Sequence, residues 1–204
     1  MDDENAIKII LLGEAGVGKT NLINVFFGKE FSLNTTSTAT SYYMEGEYKY
    51  NKKKYCYNIW DTAGQEQYRS LNKLFIKDTK IVLLVYAINA KETFEQIDFW
   101  VNYVKDILEE GSYIVGLVAN KSDLYLQQQV SDEEGEKFAN DHKIKYVVTS
   151  ALTNIEGFKQ FINELIEDYI NKIENKSDIR PGNRGFSINT NQKLNEQKQK
   201  NSCC

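Results

Sequence analysis

The chain has 204 residues, of which 41% are hydrophobic and 26% charged, enough for one domain of about 150–200 residues plus a tail. Its net charge of −4 is uneven: residues 176–204 carry six Lys/Arg against Asp178 and Glu196, a balance of +4 that leaves −8 on the rest. The acidic body excludes a nucleic-acid footprint, three cysteines exclude a disulfide framework and suit the cytosol or nucleus, and no apolar run approaches the roughly 18 residues of a membrane span.

In chain order, Met1-Asp2-Asp3-Glu4 lacks the basic region of a signal peptide. The apolar run at 6–12 predicts a strand, and residues 20–27 a helix. Residues 41–50 and 54–60 predict a hairpin about a polar Asn51-Lys52-Lys53 turn, with 41–50 as an antiparallel edge. In its second arm Tyr55, Tyr57 and Ile59 alternate with Cys56, Asn58 and Trp60, which tips Trp60 outward. Runs at 81–88, 113–119 and 145–149 predict further strands, the first two apolar without alternation, as strands buried on both faces require. Helices are expected at 91–109, at 132–141 behind Ser131 and Glu134 in capping-box spacing, and at 155–173. Alternating strands and helices predict an α/β fold with helices on both faces of a mostly parallel sheet. Residues 1–175 make one domain; 176–204, rich in Asn, Gln, Lys and Ser and holding the only proline, Pro181, read as a flexible tail.

Three segments carry chemistry. Gly13-Glu14-Ala15-Gly16-Val17-Gly18-Lys19-Thr20 fits G-x-x-x-x-G-K-[ST] between a strand and a helix, where glycines curl the backbone so that its N–H groups face phosphate oxygens. Lys19 reaches the β- and γ-phosphates and Thr20 ligates Mg²⁺. Asp61-Thr62-Ala63-Gly64-Gln65-Glu66 follows the hairpin: a carboxylate to hold Mg²⁺, a glycine N–H to grip the γ-phosphate, a glutamine to orient water. Asn120-Lys121-Ser122-Asp123 follows a strand at the ligand-binding edge of an open sheet. Its Asp123 carboxylate can accept from guanine N1–H and the exocyclic amine, though by itself such a segment is as readily a turn cap.

These motifs, with Thr149-Ser150-Ala151, stand in the order and spacing of the Ras superfamily of small GTPases, which the chain resembles over about residues 5–174. Trp60 before the DTAGQE and the terminal Cys203-Cys204 resemble its Rab branch. The resemblance implies a six-stranded P-loop small-GTPase fold that binds GTP or GDP with Mg²⁺ through Glu14, Ala15, Gly16, Val17, Gly18, Lys19, Thr20, Asn21, Phe31, Thr38, Gly64, Asn120, Lys121, Asp123, Ser150, Ala151 and Leu152. Thr20, Thr38 and Asp61 would hold the metal, Gln65 and Lys19 would act in hydrolysis, Phe31 would lie edge-on to guanine, and the Ala151 N–H would read its O6. Tyr43, Trp60 and Phe75 match an exposed aromatic triad that meets effectors. A GAP, an exchange factor, a GDI-type chaperone and a membrane reached through lipidated Cys203 and Cys204 are the implied partners of a cytoplasmic monomer working in vesicle trafficking. Departures from the Rab pattern are Thr40 for glycine, Leu152 for the lysine of Ser-Ala-Lys, Phe75-Ile76-Lys77-Asp78 for Tyr-Tyr-Arg-Gly, and Ala15 at a loop position that affects hydrolysis.

No arginine precedes Arg69, so hydrolysis should be slow until a GAP supplies charge in trans. The competing readings are a catalytically weak nucleotide-binding interaction module and a Ras-like signalling GTPase; Asp123 disfavours a P-loop kinase or ATPase. His142 reads as a solvated surface residue without a partner, Cys56 as a packing residue, and Lys52, Lys53 and Lys54 as a solvated turn.

Overall fold

The structure is a computed structural model that describes residues 6–33, 42–61 and 75–178. Its strands are β1 (Ile7–Leu12), β2 (Tyr42–Tyr50), β3 (Lys53–Asp61), β4 (Ile81–Ala87), β5 (Ile114–Asn120) and β6 (Lys145–Val148). They form one sheet in the order β2-β3-β1-β4-β5-β6, with β2 antiparallel to β3 and every other pair parallel. The helices are α1 (Lys19–Phe26), α2 (Lys91–Glu95), α3 (Ile97–Lys105), α4 (Asp132–His142) and α5 (Ile155–Asp178).

All seven residues of β4 are buried, because this central strand is covered on both faces. Its alternate side chains divide between two cores. Ile81, Leu83 and Val85 join Ile9, Leu11 and Ile59 beneath α1 and α5, while Val82, Leu84 and Tyr86 join Ile10, Leu12 and Trp100 on the other face. Each fully buried aliphatic side chain contributes about 1.5–3 kcal/mol relative to exposure.

The helix expected over 91–109 is two helices that break at Gln96. The two helices have separate anchors. The Ala87 N–H donates to Thr93 Oγ1 (3.1 Å), pinning α2 to the end of β4, whereas α3 is seated by Ile97, Trp100, Val101 and Val104 at helical spacing. The capping box at α4 is formed: Ser131 Oγ accepts from the Glu134 N–H, and the Glu134 carboxylate accepts from the Ser131 N–H.

The hairpin turns on Asn51 and Lys52 alone, both at positive φ (48° and 64°), as a two-residue connection matched to strand twist requires. Its end is clamped to α5. Tyr48 donates to Glu167, Tyr50 OH lies 3.2 Å from Asn171 Oδ1, and Lys53 and Tyr55 share Glu174 at 3.1 and 3.3 Å. These contacts extend α5 to Asp178, five residues past the expected 173, and leave Lys53 and Lys54 paired, with Glu174 and Glu47, rather than simply solvated.

The hydrogen bond to Glu167, reinforced by burial and the carboxylate charge, pushes the Tyr48 phenol up to about 12. A raised folded-state value means that this stabilisation is fully present below the unfolded tyrosine pKa of about 10 and is lost as pH rises through 12. Tyr48→Phe should therefore lower the urea midpoint at pH 8, and its deficit relative to wild type should shrink from pH 10 to 12. A deficit that does not change with pH would assign the effect to packing alone.

Candidate functional site

The described residues of the three sequence motifs gather at the carboxyl edge of the sheet. From β1 the chain runs through a loop with Gly13, Gly16 and Gly18 at φ 145°, 77° and 96° and enters α1 at Lys19, so the positive end of the helix faces the loop. A Cβ on Gly13 would lie 2.1 Å from the Val85 carbonyl oxygen, and one on Gly18 2.5 Å from Asn120 Nδ2. These two glycines are thus fixed by close approach as well as by conformation. Lys19 is only 4% exposed, and its Nζ donates to Gly13 O (2.7 Å) and Glu14 O (2.9 Å), which holds the ammonium against the loop. Ala15 and Gly16 are exposed at the loop's crest and Val17 is buried beneath it.

Asp61, fully buried, ends β3 beside the end of β1. Thr20 stands in the first turn of α1, so a hydroxyl and a carboxylate come to the same edge as the loop. Among the described residues no three His, Cys, Asp or Glu side chains cluster as a metal cage. A lone carboxylate with a hydroxyl suits Mg²⁺, which is held through few protein oxygens together with substrate phosphates.

The base-side loop is locked by hydrogen bonds. Asn120, 1% exposed, donates from Nδ2 to Val17 O (2.7 Å) and accepts at Oδ1 from the Ala151 N–H (3.3 Å), joining the phosphate loop to Ser150-Ala151. The Ala151 N–H, expected at guanine O6, is therefore engaged by Asn120 here. Ser150 Oγ donates to Asp123 Oδ1 and accepts from the Leu152 and Thr153 N–H groups (3.0 and 3.1 Å), so the carboxylate is held in one orientation. Lys121 sits at φ 66°; burial pushes its ammonium below the ordinary lysine value, and the Asp123 charge opposes that shift. Leu152, 54% exposed, stands on the rim.

Asn21 was expected at the nucleotide. Its side chain instead bonds twice to the backbone of Ser32, donating to Ser32 O (2.9 Å) and accepting from Ser32 N–H (3.2 Å). This anchors the segment that carries Phe31, which packs against the core beneath α1. Thr38, Gly64, Gln65, Cys203 and Cys204 lie outside the described residues, as do Thr40 and Arg69.

On the outer face of the hairpin, Tyr43 and Trp60 stack with centroids 4.7 Å apart, and Phe75 lies 6.2 Å from Trp60. Tyr43 is 40% exposed, while Trp60 and Phe75 are half-buried, so Trp60 tips to the outer face without standing in solvent. A residue not anticipated from sequence supports them: Lys8 Nζ lies 5.0 Å from the Trp60 ring and donates to Lys77 O (2.9 Å). Its signal was a lone lysine in the apolar run of β1. His142 also differs from expectation, lying 3.3 Å from Asp98 and stacking on Phe138.

A family model described as the Ras family matches residues 8–197. The chain belongs to the Ras family. It is 32% identical to the Ras-related protein YPTC6 of Chlamydomonas reinhardtii over all of this chain and 96% of that protein. It is 34% identical to the Ras-related protein RABA1b of Arabidopsis thaliana, over 90% and 84% of the two chains, and 35% identical to the Ras-related protein Rab-11A of Dictyostelium discoideum, over 79% and 75%. It is a Rab-type small GTPase, an enzyme that hydrolyses GTP.

Because a methyl on Gly18 must displace Asn120, Gly18→Ala should uncouple the two loops of this GTPase. A loss of at least tenfold in GDP affinity, about 1.4 kcal/mol, is expected by calorimetry, with the far-UV dichroism of the fold retained. Unchanged affinity would mean that the Asn120 link is dispensable.

Proposed function

We propose that this GTPase is a switch in intracellular membrane traffic that reads guanine through Asp123, cycles between GTP and GDP, and recruits effectors through Tyr43, Trp60 and Phe75. The observation that carries the base-reading part is the orientation of Asp123 by Ser150 together with the Asn120 bridge to the phosphate loop. A carboxylate held this way accepts from guanine N1–H and its amine, and would be left unpaired by adenine.

GTP hydrolysis transfers the γ-phosphoryl group to water, giving GDP and phosphate. Gln65 orients the water, and Lys19 and the amides of the 13–18 loop neutralise charge on the transferring oxygens. Thr20 and Asp61, joined by Thr38 when GTP is bound, would hold Mg²⁺, which supplies charge neutralisation at the β- and γ-phosphates. Thr38 and Gly64 bind the γ-phosphate and release it on hydrolysis, so effectors distinguish the two nucleotide states. A GAP supplies the missing cation, an exchange factor reloads the site, and a GDI-type chaperone carries the lipidated form of a monomer between cytoplasm and membrane.

Asp123→Asn tests the assignment of the base. GTP affinity should fall by about 1.5–3 kcal/mol while xanthine nucleotide, whose 2-oxo group accepts from an amide N–H₂, gains. Equal GTP affinity in the two proteins would remove the base-reading role.

Cys203-Cys204 resembles the double-cysteine ending that carries two geranylgeranyl groups in Rabs. Two chains give a stable anchor where one gives marginal binding, and the +4 charge over 176–204 adds attraction to anionic lipid. With α5 running to Asp178, residues 179–202 would span about 24–29 Å as a flexible tether. Replacing both cysteines by Ser should make the protein cytosolic without altering GTP affinity; persistent membrane association of that variant, or unmodified thiols by mass spectrometry of the cellular protein, would refute the anchor.

A further inference from the structure

The outer face of β2 and β3 carries two cross-strand pairs beyond the aromatic pair that nucleotide switching does not use. Tyr43 lies opposite Trp60; the next outward-facing cross-strand pair is Glu45 with Asn58, and the next Glu47 with Cys56. Successive rows are about 7 Å apart. The helices on this side of the sheet pack over β4, β5 and β6, and Glu45 and Glu47 are exposed. Ala6, Glu45, Glu47, Cys56 and Asn58, with backbone neighbours, line a groove of about 330 Å³ here.

The groove is built of acceptors. Among the described residues Asn58 Oδ1 is buried with no hydrogen-bond partner, and Glu45 has no ion pair, whereas Glu47 is already bound to Lys54. Lys8, the β1 neighbour of Asn58, sends its ammonium the other way, to the Trp60 ring and Lys77 O. A buried acceptor left unpaired is destabilising, so a donor that reaches it is rewarded. Glu45 is exposed, so its carboxylate is open to an incoming donor.

We propose that this groove receives an arginine side chain of a partner protein, whose neighbouring apolar side chain rests on Tyr43 and Trp60. Glu45 and Asn58 are direct cross-strand partners, so their Cβ atoms stand about 4.5–5.5 Å apart on one face. A planar guanidinium presents several N–H donors in a fixed fork that meets the carboxylate and the amide oxygen together, while a lysine ammonium offers no such fork. The partner's two side chains need a separation of one row, met by i and i+2 in an extended segment or i and i+3 or i+4 in a helix. The inference deepens the effector reading of the aromatic face and rests on it for the identity of the partner as a protein.

The test uses the GDP-loaded full chain labelled with ¹⁵N, titrated with N-acetyl-arginine methylamide and, as the neutral isostere, N-acetyl-citrulline methylamide. Amide shifts are expected at 45–47 and 56–58 with the arginine probe and not with citrulline. Glu45→Lys, an exposed position that leaves the fold intact, should weaken them about tenfold, as the loss of a charge-assisted hydrogen bond implies; Asn58→Leu should weaken them too. Absent shifts, equal shifts with citrulline, equal affinity in Glu45→Lys, or shifts of the same size at the acidic start of α4 would overturn the proposal. No effector enters the titration, so its failure would leave switching and effector recruitment standing, whereas failure of the nucleotide reading would appear earlier, as a chain that does not load GDP.

Discussion

The carboxamide of Asn120 occupies a position where almost no water reaches it and spends its donor on the phosphate loop and its acceptor on the base-side loop. In that surrounding each bond is stronger than at the surface, and losing either partner would strand a buried polar group at about 1–3 kcal/mol. Two loops from distant parts of the sequence are therefore rigid relative to each other, and the distance between the phosphate cradle and the Asp123 carboxylate is a property of one side chain. Gly18 has no Cβ because that amide already fills the space. Ser150 extends the network by one step and orients Asp123.

The hairpin behaves as a two-sided element built on the same parallel frame. Its inner row, Tyr57 and Ile59, packs beneath α1 and α5, while its outer row carries Trp60 and Asn58. One end is Asp61, delivered to the nucleotide edge by pairing with β1, and the other is clamped to α5 by Tyr48, Tyr50, Lys53 and Tyr55. A displacement of Asp61 along the strand would have to break the clamp or shear the parallel pairing with β1. Lys8 adds a third restraint, tying the Trp60 ring to the segment at Lys77 across β1.

The legible parts of this protein were those in which local pattern and global role coincide. Strands buried on both faces show unbroken apolar runs, and the strand–loop–helix around residues 13–20 can be read because its glycines permit the positive-φ turn. Details that depend on long-range partners were not legible. Nothing near residue 96 signals a break, and the hook of Thr93 on Ala87 that holds α2 involves a strand distant in sequence pattern from the helix. His142 reads as solvated until α3 brings Asp98 to it. Nothing in the sequence signals that the side chain of Asn21 bonds to the backbone of Ser32. Only the fold brings Asn120 Oδ1 within reach of the Ala151 N–H.

Electrostatics and geometry together separate the two ends of the molecule. Ile155 opens α5 soon after Ser150 and Ala151, and at 1.5 Å per residue the 24 residues of the helix span roughly 36 Å to Asp178. The charge divides at almost the same point: the −8 body is repelled by an anionic surface within a Debye length of about 8 Å, whereas the +4 segment that follows is attracted. A chain with the opposite arrangement would draw its nucleotide edge and aromatic face toward the lipid and hide both. On the membrane surface proposed above, the acidic body would resist collapse while the basic segment is attracted, which would leave the face that bears Tyr43 and Trp60 open to proteins from the aqueous side.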